Sequence, residues 1–214
     1  MAEIEIKEIS LIIKDKKILD NVTIEIEKGT VCGLVGDNGS GKTMLMKCIC
    51  GFVRPKQGEI YVQNKKIGKE IDFPDSIGVI IETPGFIPYF SGYKNLEYLA
   101  SIKGKIGKSE IIDALDKVGL KDEMNKKAGK YSLGMRQRLG IAQAIMEDPD
   151  ILILDEPMNG LDKSGVEQVR ELLLLLKSEG KTMVITSHNS EDIEILCDRI
   201  IKMENGKITE NLLK

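Results

Sequence analysis

The chain is short of several things, and each shortage narrows what it can be. It has a single histidine and no tryptophan, and its four cysteines (Cys32, Cys48, Cys50 and Cys197) show no C-x-x-C spacing. That combination excludes a cysteine–histidine metal site and points to buried free thiols in a reducing compartment. There is no excess of basic residues: the net charge is −3, against the positive balance expected of a nucleic-acid binder. No apolar run approaches the ~20 residues that a spanning helix needs; the run Leu172 to Leu176 is far too short. The start, Met1-Ala2-Glu3-Ile4-Glu5, is acidic and alternating and does not read as a secretory leader. Repeats, linkers and low-complexity segments are also missing. A soluble chain of 214 residues is left, long enough for a substantial core and for one domain or a domain with an inserted lobe.

What is present is concentrated first in Gly36-Asp37-Asn38-Gly39-Ser40-Gly41-Lys42-Thr43. This stretch fits G-x-x-x-x-G-K-[ST], the phosphate-cradling P-loop. Its flanks fit as well. Val31 to Val35 reads as a buried strand, and Met44 to Cys50 as a helix ending at Gly51. Glycines let backbone N–H groups wrap an anion, and the helix start adds roughly half a positive charge. Lys42 is placed to reach the β- and γ-phosphates, and Thr43 to offer its hydroxyl to Mg²⁺.

Around this motif the chain alternates strands and helices. Ile4 and Ile6, then Ile9, Leu11 and Ile13, form a strand with a shift in alternation. A turn at Asp15 to Lys17 leads to a half-exposed strand through Val22, Ile24 and Ile26. Gly58 to Gln63 is a further strand, closed by a polar turn at Asn64 to Lys66, and Ser76 to Ile81 is a buried one leading to Glu82. From Thr83 to Tyr131 the texture changes. Gly, Pro and aromatics come first, then two short helices, one through Leu96, Leu99 and Ala100, the other capped by Ser109 and using Ile112, Leu115 and Val118. Ser132 caps a longer helix that Pro149 stops; Ile151 to Leu154 is a buried strand; Val166 to Leu176 forms an amphipathic helix ended by Gly180; Thr182 to Thr186 is another buried strand. A hairpin on Asn205-Gly206 closes the chain. Strand–helix–strand alternation implies a parallel sheet. The expected fold is α/β: a P-loop NTPase core with a parallel sheet, an N-terminal antiparallel β subdomain and an inserted α-helical lobe. Residues 1–214 form one domain, with 1–82 and 132–214 as core and about 83–131 as a lobe extending into the helix after Ser132.

Two more sites carry chemistry. Asp155 follows four apolar strand residues, a Walker B pattern, and ligands of parallel sheets sit at such carboxyl ends. It is placed to orient Mg²⁺. Glu156 adds a second carboxylate able to polarise a water for attack, a form of catalysis worth roughly 10²–10⁴-fold. His188 follows the strand Thr182 to Thr186; beside the P-loop strand it would reach the γ-phosphate or the attacking water.

Together these motifs resemble the ATP-binding cassette (ABC) family, specifically the nucleotide-binding subunit of ABC transporters. The resemblance covers nearly the whole chain. Tyr131 to Leu139 lies where the family has its L-S-G-G-Q signature and x-Q-R-[LV] tail, Asn159-Gly160-Leu161-Asp162 resembles the D-loop with Asp162 as its acid, and His188 the switch histidine. The resemblance implies ATP hydrolysis with Lys42, Glu156 and His188 as catalytic residues and Mg²⁺ held by Thr43, Asp155 and Glu82. It implies a head-to-tail dimer with a second ATPase subunit, a copy or a paralogue, in which Ser132, Gly134 and Met135 complete the partner's site. A polytopic membrane permease would be the other partner. The chain would then lie in the cytoplasm, peripheral to the inner face of the cell membrane. Phe86, Tyr89 and Phe90 in the lobe are candidate permease contacts.

The chain departs from the family pattern in three places. Tyr131, Leu133 and Met135 interrupt the signature, though Ser132 and Gly134 keep the hydroxyl and backbone donors. Glu82 stands where the family usually has Gln. Ile13 aligns with the aromatic that often stacks on the base, so it offers apolar contact without π-stacking. Glu82 and the Ser-Leu-Gly-Met-Arg-Gln-Arg run are similar to an export subgroup that includes bacitracin- and lantibiotic-resistance transporters. Rival readings are a non-transport ABC ATPase, a GTPase-type switch and a nucleotide-dependent regulator. The stretch between Thr43 and Leu133 is too short for a long coiled coil, no N-K-x-D accompanies Asp162-Lys163-Ser164-Gly165, and intact Lys42, Asp155, Glu156 and His188 argue for turnover.

Overall fold

A computed structural model describes residues 2–213. The chain opens with two long strands, β1 (Ala2–Ile13) and β2 (Lys16–Glu27), then β3 (Val31–Val35), helix α1 (Lys42–Ile49), β4 (Gln57–Val62), the two-residue β5 (Lys65–Lys66) and β6 (Ile77–Ile80). Helices α2 (Gly92–Lys103), α3 (Lys108–Lys117) and α4 (Leu133–Ile145) follow, with a 3₁₀ turn at Ala128–Lys130. The remainder is β7 (Ile151–Leu154), α5 (Lys163–Ser178), β8 (Thr182–Thr186), α6 (Ser190–Leu196), β9 (Arg199–Glu204) and β10 (Lys207–Leu213).

Two sheets form. One is antiparallel, in the order β2-β1-β4-β5; the other has six strands in the order β10-β9-β3-β8-β7-β6. Within the larger sheet β9, β3, β8, β7 and β6 run parallel and β10 closes the edge antiparallel. The alternation of the central strands builds the layers. Leu152, Leu154, Met183 and Ile185 pack toward the helices. Ile151, Ile153 and Val184, one residue out of phase, pack with α1 and the antiparallel sheet. Side chains of a strand point to opposite faces, so strands covered on both sides are apolar throughout. β7 and β8 are buried at every position.

Helix α2 packs on α3, α3 on α4, and α4 on β6. At the last contact Gly78 has no room for a side chain: a Cβ there would lie 1.9 Å from the Ala144 carbonyl oxygen. The lobe shares one apolar cluster with α4 and β7, to which Leu96, Ile111 and Leu115 contribute. Cys32, Cys48, Cys50 and Cys197 are buried thiols outside any disulfide; desolvation pushes the first three up to about 12.

Several local expectations shift. The β1 alternation breaks between Ile6 and Ile9, as read from the sequence. The hairpin bend lies at Lys14 and Asp15, both at positive φ, so Lys16 and Lys17 belong to β2. The bend after β4 lies at Gln63 and Asn64, again at positive φ, and Lys65–Lys66 pairs as β5. Helix α3 is capped at Gly107, not Ser109, because the Glu110 carboxylate reaches back to accept from the Gly107 N–H at 2.8 Å. With that start Ile111 faces the core and Ile112 is half-buried. Among the candidate permease contacts only Tyr89 is well exposed; Phe86 and Phe90 are half-buried.

Candidate active site

Adjacent strands β3, β8 and β7 end level with one another: Leu34 pairs with Thr186, and Leu154 with Ile185. Their carboxyl ends therefore deliver the loop Gly36–Thr43, His188 and Asp155 to one edge, as expected for a parallel sheet. A cleft of about 490 Å³ opens there, lined by Lys42, Thr43, Asp155, Glu156 and His188 among others.

The loop is held from below. Gly36 has φ 145°, and a Cβ there would meet the Met203 carbonyl oxygen at 2.2 Å, so only glycine fits. The Asn205-Gly206 turn is the support: the Gly206 N–H donates to the Ser40 carbonyl and its own carbonyl accepts from the Asp20 N–H, both at 2.9 Å. The Lys42 ammonium donates to the carbonyls of Gly36 (2.6 Å) and Asp37 (3.1 Å) and so lies over the loop. Lys42 opens α1, whose first turn carries no acidic residue, so the positive helix end faces the cleft unopposed.

Asp155 is bound at both oxygens. Thr43 Oγ1 donates to one at 2.8 Å and Thr186 Oγ1 to the other at 2.7 Å. Thr186 Oγ1 also accepts from the Glu156 N–H at 2.8 Å. Glu156 has φ 51°, a left-handed backbone that is costly for a residue with a side chain, on the order of 1–3 kcal/mol. Its carbonyl and that of Pro157 are held by Gln137 Nε2 at 3.2 and 3.1 Å. Its carboxylate accepts from the His188 N–H at 3.2 Å and lies 3.4 Å from His188 Nε2. Two oxygen-donor groups, a carboxylate with an imidazole beside it, and a lysine at a helix start together suit a triphosphate and a hard divalent cation.

Two expected residues sit apart from this cleft. Glu82 is mostly exposed, and its carboxylate pairs with Lys47 of α1 at 2.6 Å. Ile13, at the end of β1, does not line the cleft, whereas Lys16, Lys17 and Ile18 of β2 do. Asn205 lines it too. Sequence reasoning missed Thr186 and Gln137. The signal for Thr186 is its place at the end of the strand that leads to His188; Gln137 carries none, because its burial shows only in the structure.

The signature segment lies elsewhere. Ser132 is exposed at the N-terminus of α4, its Oγ accepting from the Met135 N–H at 3.2 Å. Leu133 is 55% exposed. Gly134 lies against the Gly160 carbonyl, which brings the signature beside the segment ending at Asp162. Tyr131 turns inward: it is buried, and its hydroxyl donates to the Glu123 carbonyl at 2.8 Å. That departure from the family pattern therefore packs the lobe.

A family model described as ABC transporter matches residues 19–159. The chain belongs to the ABC transporter family. It is an ATP-binding subunit of that family, and its chemistry is ATP hydrolysis. It is 44% identical over 205 residues to the ABC transporter ATP-binding protein YybJ of Bacillus subtilis, covering 96% of this chain and 94% of that protein. To the bacitracin transport ATP-binding protein BcrA of Enterococcus faecalis it is 41% identical, over 91% of this chain and 64% of BcrA. To the lantibiotic transport ATP-binding protein SrtF of Streptococcus pyogenes it is 40% identical, over 90% of this chain and 83% of SrtF. The fold matches the dimeric structure of MJ0796, a bacterial ABC transporter cassette, with TM-score 0.89 at 25% identity and 98% of both chains covered. No helix among the described residues is long and apolar enough to cross a membrane.

Proposed function

We propose that this ABC ATPase powers a separate membrane permease that exports an antimicrobial peptide or similar drug. The similarity to BcrA and SrtF over most of the chain supports the cargo class. The observation that carries the catalytic part is Glu156, set 3.4 Å from His188 beside the doubly bonded Asp155.

In this reading the P-loop backbone and the α1 start bind the phosphates, and Lys42 leaves its carbonyl partners to neutralise the β- and γ-oxygens. Glu156 accepts a hydrogen bond from a water and takes its proton as the water oxygen attacks the γ-phosphorus; the bond to the β,γ-bridging oxygen breaks and ADP leaves. His188 donates to the γ-phosphate and keeps Glu156 aimed. Thr43 and Asp155 would hold Mg²⁺, whose charge supports the leaving phosphate oxygens. Lys16, Lys17 and Ile18 form the wall on the base side; Ile13 remains a candidate for apolar contact there, and Glu82 for the metal shell. The signature residues Ser132, Gly134 and Met135 act on ATP held by a second subunit, with Asp162 beside them. The lobe, about residues 83–131, receives the permease at the inner membrane face, with Tyr89 as its most exposed aromatic.

Size-exclusion of a Glu156→Gln variant tests the assembly: ATP with Mg²⁺ shifts it from monomer to dimer, and no shift counts against the sandwich. For cargo, strains lacking the protein become more sensitive to bacitracin or a lantibiotic; unchanged sensitivity to both removes the peptide-export reading.

A further inference from the structure

His188 presents a problem of placement. Its side chain is 63% exposed, on the short loop between β8 and α6, yet it sits 3.4 Å from the Glu156 carboxylate. An exposed imidazole on a free loop would lose rotational entropy on each approach. Something must hold the loop.

The bonds on either side of His188 converge on one hydroxyl. Ser187 Oγ donates to Asp192 Oδ2 at 2.9 Å and accepts from the Asn189 N–H at 3.1 Å. The residues before and after His188 are thus fixed by a single oxygen. Asn189 in turn caps α6 by accepting from the Glu191 N–H at 3.0 Å. Asp192 is only 2% exposed, and a buried carboxylate persists only with partners. Its other oxygen accepts from Arg170 Nη2 at 2.6 Å, and the same nitrogen reaches Glu191 at 3.2 Å. Arg170 belongs to α5, the helix capped by Asp162.

We infer that Ser187, Asp192 and Arg170 form a brace, anchored on the buried Asp192, that sets His188 against Glu156, making all three positioning residues for ATP hydrolysis. None of them lines the nucleotide cleft. The role rests on the proposed catalytic pairing of Glu156 with His188. It adds a mechanical link: a shift of α5 against α6 moves Asp192, and through Ser187 it moves His188.

The sole histidine gives a single-site readout. In the parent protein, Glu156→Gln displaces the NMR resonance of the one imidazole C–H group between the ring nitrogens. In a Ser187→Ala background that displacement disappears, because the ring no longer rests on residue 156; a displacement equal to the parent's overturns the brace, whatever the turnover. Kinetics supply the second arm. Ser187→Ala lowers kcat about ten-fold with KM for ATP within about two-fold, Ser187→Thr restores it, and in a His188→Ala background Ser187→Ala adds nothing. Additive losses mean that Ser187 does not act through His188 and overturn the inference. Arg170→Met, from the far end, must also diminish the resonance displacement; a lowered melting temperature with the displacement intact reduces Arg170 to a helix-packing role and removes it from the brace. Absence of ATP turnover in the parent defeats the catalytic reading alone, and the resonance arm then decides the brace by itself.

Discussion

The P-loop region and the signature region of this protein differ in how far their side-chain hydrogen bonds are closed. Around the P-loop the catalytic groups have partners within the same chain: both oxygens of Asp155, the Glu156 N–H and carbonyl, and the Lys42 ammonium; Ser40 Oγ is buried without one. At the signature, Ser132 is exposed, Leu133 is exposed, and the start of α4 has no acidic residue in its first turn. The catalytic side chains of the first region are braced within the chain. The other has a helix end and a hydroxyl directed outward, with only the Met135 N–H satisfied by the cap. Both α1 and α4 begin without an acidic residue, which suits an anion at either helix start, but only at α4 is the capping residue exposed. The contrast fits the expectation of two half-sites in different chains, each complete only across a dimer.

The comparison can be broken at graded cost. The largest effect falls on Glu156: replacement by Gln lowers turnover by roughly 10²–10⁴-fold while ATP still binds, measured by steady-state phosphate release against nucleotide-binding fluorescence. Thr186→Val comes next. It strips Asp155 of one donor and leaves the Glu156 N–H without an acceptor, so melting shows a loss of about 1–3 kcal/mol along with a fall in kcat. Gln137→Leu frees the left-handed backbone at Glu156 and lowers kcat about ten-fold with little change in KM, the mark of an interaction made mainly in the transition state. The smallest effect is at Glu82. Its partner Lys47 already offsets the charge that a Gln would lack, and an exposed pair contributes about 0–1 kcal/mol. Glu82→Gln therefore leaves the melting temperature nearly unchanged, and a large loss of turnover would instead place Glu82 at the metal.

How legible was this in the sequence? The strands Ile151–Leu154 and Thr182–Thr186 and the Gly36–Thr43 loop were plain, because local pattern and tertiary role agree there. The ends that slipped are places where one local device beat another. Ser109 has a capping hydroxyl, but Glu110 reaching back to Gly107 starts the helix earlier. α6 is a single short helix, and Ile193 and Leu196 alone make no period. In the site, Lys42, Asp155, Glu156 and His188 converge as their motifs implied. The supports did not show. Asn205 read only as a turn, yet its hairpin carries the P-loop; Lys16 to Ile18 reach the cleft through the register of β2 beside the loop. Ile13 lies where the family often has an aromatic, yet at the end of β1 it does not line the cleft. Supports of this kind depend on contacts between distant segments, which no periodicity encodes.

The claim that the braced region and the open region serve each other across two chains has a direct test. Lys42→Ala disables a P-loop and Ser132→Arg blocks a signature; each variant alone is inactive. Mixed in equal amounts with ATP and Mg²⁺, they form dimers in which one site joins an intact P-loop from one chain to an intact signature from the other. The account predicts that phosphate release returns on mixing, toward the level of one working site per mixed dimer. Turnover that stays at the level of the separate variants would mean that the signature acts within its own chain or not at all.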